Sequence, residues 1–591
     1  MCGIVGYKGS RNAVEVVFKG IKDLEYRGYD SWGIASLSNL DNEIEVVKEV
    51  GKIGSVLLEN IMLKPSKVAI AHTRWATTGE ASKVNAHPHI SQSKSFALVH
   101  NGIVENFQEL RKELETKGYK FYSQTDTEVI VKLVEEELKN HSDLKDAVRS
   151  AFQKLKGRNA FVLVEKESKR LIAVCRGSPL MIGLGQDEFF LASDPSPLLN
   201  YTKRVIFLDD DELTVIGNDF RIFDVKTGVE LKKQVGILNW NPEQAKKGKY
   251  PHFMLKEILE QRHTIKQALV QDPELIQKIA KEINNAFGVY AVGCGTAGKV
   301  CLAGTYAFAK IAKKHINFAF GSEFPYFSPF IVDRSLLIAV SQSGETADTL
   351  EAMKTVSDRN GKIVSLVNVM GCSVMRKSEF SLLLNNGPEI AVASTKATTS
   401  QLALMILLAY ACAGRFEDGL TLLSKVSEEV DKMLDNAFLK NLKFLAEKIK
   451  SASDVYIIGR GVNYAMALEA AIKIQEVSYI HAEGFAGGEL KHGPIALIDE
   501  GTPCIVLVAN DETKADVLSN AFEVKTRKGF VIGISPENNE VFDFWVKVPD
   551  VGVASAIVNI IPVQLLAYYL AVAKNLDPDK PRNLAKSVTV K

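Results

Sequence analysis

The feature that most restricts this chain is a repeat in its second half. GVYAVGCGTAG (288–298), LLIAVSQSGETADTL (336–350) and KIVSLVNV (362–369) return as DVYIIGRGVNY (454–464), PCIVLVANDETKADVL (503–518) and GFVIGISP (529–536). Each set reads as apolar strand, turn and helix in alternation, the order that parallel α/β units require. Gly293 and Gly459 stand 166 residues apart, and the later strands, taken at Val364 and Val531, stand 167 apart. An offset this long and this constant indicates a duplicated domain rather than a short-period solenoid. The predicted architecture is therefore two homologous doubly wound α/β domains, at 281–425 and at 450–591, the second including a C-terminal tail.

The chain before the repeat has a different texture. VAIAHTRW (68–75), FALVHNG (96–102), AFVLVE (160–165), LIAVC (171–175) and VIFLDDDELTVI (205–216) have strand character, and helical periodicity shows at 105–117, 126–139 and 143–155. This predicts an α+β domain over 2–238. The polar stretch NPEQAKKGKY (241–250) and a helical stretch at 252–270 make 239–280 a linker with a connecting helix.

Composition excludes several functions. Among 591 residues, Lys+Arg is 72 and Asp+Glu is 71, a net charge of +1, and no run of like charges stands out. Nucleic acid is therefore not expected as a partner. The seven cysteines (2, 175, 294, 301, 372, 412 and 504) form no CxxC pair, which points to reduced thiols in a cytoplasmic setting. MCGIVGYKGSR carries no apolar signal core. The apolar stretch 402–414 is too short for a bilayer, and 553–573 is broken by Ser555, Asn559, Pro562 and Gln564, so both read as buried helices and no membrane is expected.

Cys2 directly follows the initiator Met. Removal of Met1 leaves an α-amine of pKa about 7.7–8.0 beside a thiol of about 8.5, so one residue carries both a nucleophile and a base. A cysteine at position 2 means little alone; its context selects it. CGIVG (2–6), LEYRGYDS (24–31), HTRWAT (72–77), NAHPH (85–89), HNG (100–102) and TDTE (125–128) together resemble, in order and spacing, the N-terminal-nucleophile glutamine amidotransferases. The resemblance implies the αββα fold of that family, with Cys2 attacking the glutamine amide and Asn101 and Gly102 forming the oxyanion hole. It implies that Arg74 holds the substrate carboxylate and Asp126 the ammonium. Trp75, Thr77 and His87 would complete the glutamine site, and Trp75 would also gate an ammonia channel. Read without the family, Arg74 could be a surface charge and Asp126 a helix N-cap. His72, His87, His89 and His100 match no zinc spacing, so no metal is expected. One departure is Thr78, where close relatives carry His.

GCGTAG (293–298) matches the dinucleotide fingerprint G-x-G-x-x-G, with Glu323 placed where a ribose ligand could sit, but GRGVNY (459–464) keeps only its first two glycines. No nicotinamide or flavin cofactor is expected. SQSGET (341–346) is more informative. It joins an apolar strand to a helix, so hydroxyls and loop amides converge at a helix N-terminus, a natural anion site, although an ordinary Ser/Gly turn capped by Thr346 has the same pattern. The matching loop of the second copy, ANDET (509–513), carries acids instead, so only the first copy is expected to hold phosphate. There is no P-loop lysine motif. These loops resemble sugar isomerase domains, which bind phosphosugars. By that resemblance Thr296, Ser341, Gln342, Ser343, Thr346, Val392, Ser394 and Glu469 contact the sugar phosphate. Some relatives have Ser at the position of Ala297.

YAMALEAAIKIQEVSY (464–479) places Glu469, Lys473 and Glu476 on one helix face, amid apolar neighbours. The face could be an enclosed proton-transfer site or an ordinary Glu–Lys pair worth ~0.2–0.5 kcal/mol. HAEGFAGGELKHGPIAL (481–497) follows, and the chain closes on PRNLAKSVTVK (581–591). Together the halves resemble glutamine-dependent aminotransferases of sugar phosphates. This implies L-glutamine and D-fructose 6-phosphate as substrates, D-glucosamine 6-phosphate and L-glutamate as products, and ammonia passing between two sites. Lys586 would form a Schiff base with the open-chain ketose, Glu476 would move a proton between C1 and C2, and Lys473 and Glu469 would support it. His492 would assist ring opening from the neighbouring subunit of a homodimer. The alternative is another sugar-phosphate amidotransferase sharing the glutaminase half. A phosphoribosyl-type enzyme would need a pyrophosphate loop after an acidic pair. A sugar-binding regulator would carry a basic helix-turn-helix, and a deaminase relative would lack the N-terminal domain.

Overall fold

The computed structural model describes residues 2–589. They form two compact units, one from the N-terminus to Ala245 together with the tail from Ala585, the other Lys246–Leu584.

The first unit is built on two antiparallel sheets. The eight-stranded sheet has Gly3–Lys8 between Phe189–Ala192 and Ser66–Arg74, with Ser31–Ser38 and Ile44–Val50 beyond. The seven-stranded sheet is centred on Leu171–Arg176, Asn159–Glu165 and Phe96–Gly102. Period-two alternation shows how they stack. Ala97 and Val99 join Ile4, Ile70, Val162 and Ile182 in the core between the sheets. Phe96 and Leu98, on the opposite face of the same strand, join Val129, Val148 and Phe161 in a second core. That second core lies under helices Phe107–Thr116, Asp126–Leu138 and Leu144–Lys154, while helix Ala13–Asp23 covers the other sheet. The layers are α, β, β, α. The run 205–216 is not one strand: Arg204–Phe207 and Glu212–Ile216 are separated by a turn in which Asp211 takes φ +64°. Consecutive aspartates suit that turn better than a sheet interior.

The second unit contains two five-stranded, wholly parallel sheets. In the first the order is Asn317–Phe320, Gly288–Gly293, Ser335–Ser341, Lys362–Val367, Phe380–Leu383. In the second it is His481–Ala486, Asp454–Gly459, Pro503–Leu507, Phe530–Ser535, Phe544–Lys547. Both are 2-1-3-4-5 in chain order, so the repeat in sequence is a repeat in topology. Such sheets bind ligands beyond the strand ends where the order reverses, between first and third strands. One continuous core runs from Met254 through Met405 and Ile474 to Ala571 and joins the two copies. Helices Lys396–Cys412 and Ser555–Ala573 lie within it. The latter is apolar and long enough to cross a bilayer by composition, but 83% of its most apolar window is buried. Burial of Ile557, Ile560, Ile561 and Leu565, at about 1.5–3 kcal/mol each, accounts for that apolarity.

Candidate functional site

Cys2 precedes the central strand Gly3–Lys8, where Gly3 pairs with Thr73. This register sets its thiol against the Arg74–Trp75 backbone. The Trp75 amide donates to Sγ at 3.3 Å, and Sγ lies 3.6 Å from the Trp75 carbonyl. Burial pushes the thiol pKa up, opposed by the Trp75 amide and the Arg74 guanidinium. The thiol is thus protonated at neutral pH and needs a base to become a nucleophile. Met1, whose removal would supply that base, lies outside the described residues.

Asn101 and Gly102 end the strand Phe96–Gly102. Asn101 Nδ2 donates to the Cys2 carbonyl at 3.2 Å, and its Oδ1 lies 3.1 Å from His72 Nε2. Gly102 has φ +125°, and a Cβ there would sit 2.0 Å from the Arg158 carbonyl oxygen, so no other residue fits. Asp126 is buried at the start of helix Asp126–Leu138, and its Oδ2 accepts from the Val104 amide at 2.8 Å. The N-cap is Thr125, which accepts from the Glu128 amide, so Asp126 is not spent on capping. Buried Arg74 donates to the carbonyls of Thr78, Gly79 and Glu80 at 2.6, 2.9 and 3.1 Å. These are backbone contacts, indifferent to the side chain at 78. Trp75 packs edge-on against Tyr29 at 5.3 Å, and Thr77 is exposed. His87 lies deeper, stacked on His72 at 4.2 Å.

The LEYRGYDS segment, whose residues were assigned no role from sequence, braces this constellation. Asp30 accepts from the Ala76 amide at 2.8 Å, and its own amide donates to the Arg74 carbonyl at 3.0 Å. A Cβ on Gly28 would meet the Arg74 carbonyl carbon at 2.7 Å, so only glycine lets the chain pass. Arg27 forms a buried ion pair with Asp194.

In the second unit, the strand order of the first copy reverses between Gly288–Gly293 and Ser335–Ser341. Thr296 follows one strand and SQSGET the other. Ser341 Oγ accepts from the Gly344 amide and lies 3.0 Å from Thr346 Oγ1, and Ser343 Oγ accepts from the Glu345 amide at 3.2 Å. Gln342 is partly exposed, with its carbonyl bonded to the Asn368 amide. In the second copy the equivalent loop carries acids that meet a lysine of the first copy. Asp511 accepts from Thr513, and Lys310 reaches Asp511 at 3.3 Å and Glu512 at 2.7 Å.

Helix Val462–Ser478 carries the ionisable line. Thr296 Oγ1 donates to Glu469 Oε1 at 3.0 Å, Lys473 Nζ lies 3.4 Å from that oxygen, and Lys473 donates to Glu476 Oε2 at 3.0 Å. Glu469 and Lys473 are fully enclosed, while the Glu476 side chain is 22% exposed, so the line runs from core to surface. Glu469 Oε2 has no hydrogen-bond partner, and burial pushes its carboxyl up to about 7 against the pull of Lys473. Burial opposes the Lys473 charge, but Glu469 and Glu476 hold its pKa above the ordinary lysine range.

Glu389, missed from sequence, also acts on Lys473. It accepts from the Thr395 and Ala397 amides at 3.0 Å each and from Ser394 Oγ at 3.3 Å, fixing the loop that holds Val392 and Ser394. An acid ahead of the hydroxyl-rich helix start was the available signal. Val392 is buried, its amide bonded to the Asp579 carbonyl. The Arg582 amide donates to Tyr479 Oη at 2.7 Å just beyond the Glu476 helix, and Lys586 follows in the tail segment from Ala585. His492 is exposed at the end of the short helix Glu489–His492 and makes no hydrogen bond to the residues above. All seven cysteines are free thiols.

Comparison with known proteins agrees with both units. A SIS domain model matches residues 282–411 and 448–574, and a glutamine amidotransferase domain model matches 72–200. The glutamine–fructose-6-phosphate aminotransferase [isomerizing] of Thermococcus kodakarensis is 43% identical over 603 residues, covering 100% of both chains. Those of Pyrococcus horikoshii and Clostridium perfringens are 42% and 41% identical, again covering 100% of both chains. Among solved structures, the C-terminal domain of glucosamine-fructose-6-phosphate aminotransferase from Francisella tularensis is 32% identical, covering 57% of this chain and 100% of that one with a TM-score of 0.51. The chain belongs to the family of glutamine–fructose-6-phosphate aminotransferases [isomerizing], a glutamine amidotransferase domain followed by two SIS domains.

Proposed function

We propose that the chain converts D-fructose 6-phosphate and L-glutamine to D-glucosamine 6-phosphate and L-glutamate, the entry step of amino-sugar synthesis. The observation that carries this reading is the line Glu469–Lys473–Glu476 beside Thr296, in a chain that also sets Cys2 against Asn101. Cys2, deprotonated by its own α-amine after loss of Met1, attacks the amide carbon. The developing oxyanion is met by Asn101 Nδ2 and the Gly102 amide, donors that typically supply about 10²–10³-fold in rate. Arg74 holds the α-carboxylate with donors not used by Thr78, Gly79 and Glu80, Asp126 holds the ammonium, and Trp75, Thr77 and His87 shape the pocket. Ammonia leaves, and water cleaves the thioester to glutamate.

Ammonia is mostly protonated at neutral pH, so a sheltered route to the second site, gated by Trp75, keeps it nucleophilic. There Ser341, Gln342, Ser343, Thr346, Thr296, Val392 and Ser394 hold the sugar phosphate, and Lys586 forms a Schiff base with the open-chain ketose. Ammonia displaces it at C2 with net loss of water, and Glu476 transfers a proton from C1 to C2, giving the aldose. Lys473 and Glu469 support that transfer. Residues 2–238 serve as glutaminase, 239–280 as connector, and 281–425 and 450–591 as isomerase. We read the enzyme as a homodimer in which His492 acts in the partner's site, a reading supported by the exposure of His492. The free thiols support a cytoplasmic location. The test is mass spectrometry of products from amide-¹⁵N glutamine and fructose 6-phosphate. Label in the amino sugar is expected, and an unlabelled or absent amino sugar rejects the reaction.

A further inference from the structure

The Asn101 amide has two ends that a half-turn would exchange, and only one of them can stabilise an oxyanion. Its neighbours decide which end faces Cys2. On one side is the Cys2 carbonyl, which can only accept, 3.2 Å from Nδ2. On the other is His72 Nε2, 3.1 Å from Oδ1. Because the first contact demands the NH₂ end, the second requires His72 to carry its proton on Nε2. His72 Nδ1 is then bare, and it is buried with no hydrogen-bond partner.

The ring is held from behind. His72 stacks on His87 at 4.2 Å and 30°. His87 Nδ1 accepts from the His100 amide, and the His100 ring is fixed between Thr127 Oγ1 and Asn159 Oδ1 at 3.0 Å each. His72, His87, His89 and His100 are all buried, and burial holds each of them neutral, His72 with a pKa down to about 3. The stack is therefore a rigid, uncharged support that aims a single N–H.

We propose that His72 is a positioning residue for glutamine hydrolysis: its Nε2–H pins the Asn101 carbonyl oxygen, so that Asn101 always presents its NH₂ group to the reacting centre at Cys2. This rests on the reading of Cys2 and Asn101 as a glutaminase. Without the pin, the flipped amide would turn a carbonyl oxygen toward the developing negative charge.

The test is steady-state glutaminase kinetics of the full-length enzyme. His72→Phe keeps the stack and removes the N–H. It is expected to lower kcat by about 10–10²-fold, less than outright loss of an oxyanion donor, with the glutamine KM within about twofold. His72→Gln, which returns a donor near the Nε2 position, should recover most of the rate. If His72→Phe does not fold, His72→Asn, with its donor near Nδ1 instead, takes its place. Added to Asn101→Ala, the His72 change should cost nothing further, and ammonia-dependent amination should be retained. Unchanged kcat, equal loss in the Gln variant, additive loss with Asn101→Ala, or parallel loss of ammonia-dependent synthesis overturns the assignment. Absence of glutaminase activity in the wild type overturns the Cys2 reading, and this assignment with it.

Discussion

Thr296 and Glu469 meet across the two copies of the repeat: a hydroxyl at the first turn of helix Thr296–Ala307 donates at 3.0 Å to a carboxylate in the middle of helix Val462–Ser478. Neither copy alone contains this pair. Its buried carboxyl titrates at about 7, against about 4.3 in an unfolded chain. The folded state therefore binds the extra proton between these values. Its contribution to stability is fully present below about pH 4.3 and is lost as pH rises through about 7. Glu469→Gln removes that loss. The melting temperature of the variant relative to wild type should rise with pH across this window and level off above it. A difference independent of pH would refute the assignment.

Gly102→Ala should be damaging twice over. At φ +125° a side chain is strained, and the new methyl would lie 2.0 Å from the Arg158 carbonyl oxygen, so the strand end must move. A stability loss of about 1–3 kcal/mol is expected in urea unfolding. Glutaminase kcat should fall by at least about 10²-fold because the oxyanion amide moves with the strand. Near-native activity would show that this amide does not face the reacting centre.

Much of this was legible in the sequence because it repeats or alternates. The pair of doubly wound α/β domains follows from glycines and strands at a constant offset, and FALVHNG reads as a strand. Glu469, Lys473 and Glu476 share a face by helical spacing alone. What could not be read was contact between distant segments. Nothing in SQSGET or GCGTAG names Glu469 as a neighbour of Thr296, and no periodicity points from Asp30 to Ala76 or from His72 to Asn101. The run 205–216 misled because its apolar ends outweighed three aspartates that turn the chain.

The buried pair Arg27–Asp194 ties the segment bracing Arg74 to the loop after strand Phe189–Ala192. Both side chains are almost fully enclosed, so removing one charge strands the other. Asp194→Asn should cost about 3–5 kcal/mol in unfolding of the N-terminal unit, well above the ~0–1 kcal/mol of a surface pair. Because Gly28 and Asp30 lie in the same segment, the glutamine KM should rise while ammonia-dependent synthesis persists. Urea melts and parallel assays of both activities test this, and a loss under about 1 kcal/mol would mean that the pair is dispensable.

The two copies should differ in what they bind. In the first, the Ser341, Ser343 and Thr346 hydroxyls and loop amides cluster beside the strand-order reversal. In the second, Asp511 and Glu512 occupy the corresponding loop, and Lys310 offsets only one of their two negative charges. A phosphate dianion is favoured by the first and repelled by the second. Ser341→Ala should raise the KM for fructose 6-phosphate about 10–10²-fold, the loss of one hydrogen bond to a charged group, and leave the glutamine KM unchanged. Asp511→Asn should leave both constants within about twofold, since it touches a loop already closed by ion pairs to Lys310. If Asp511→Asn raised the sugar KM as much as Ser341→Ala, the substrate would occupy the second copy and the division of labour inferred from the two loops would be wrong.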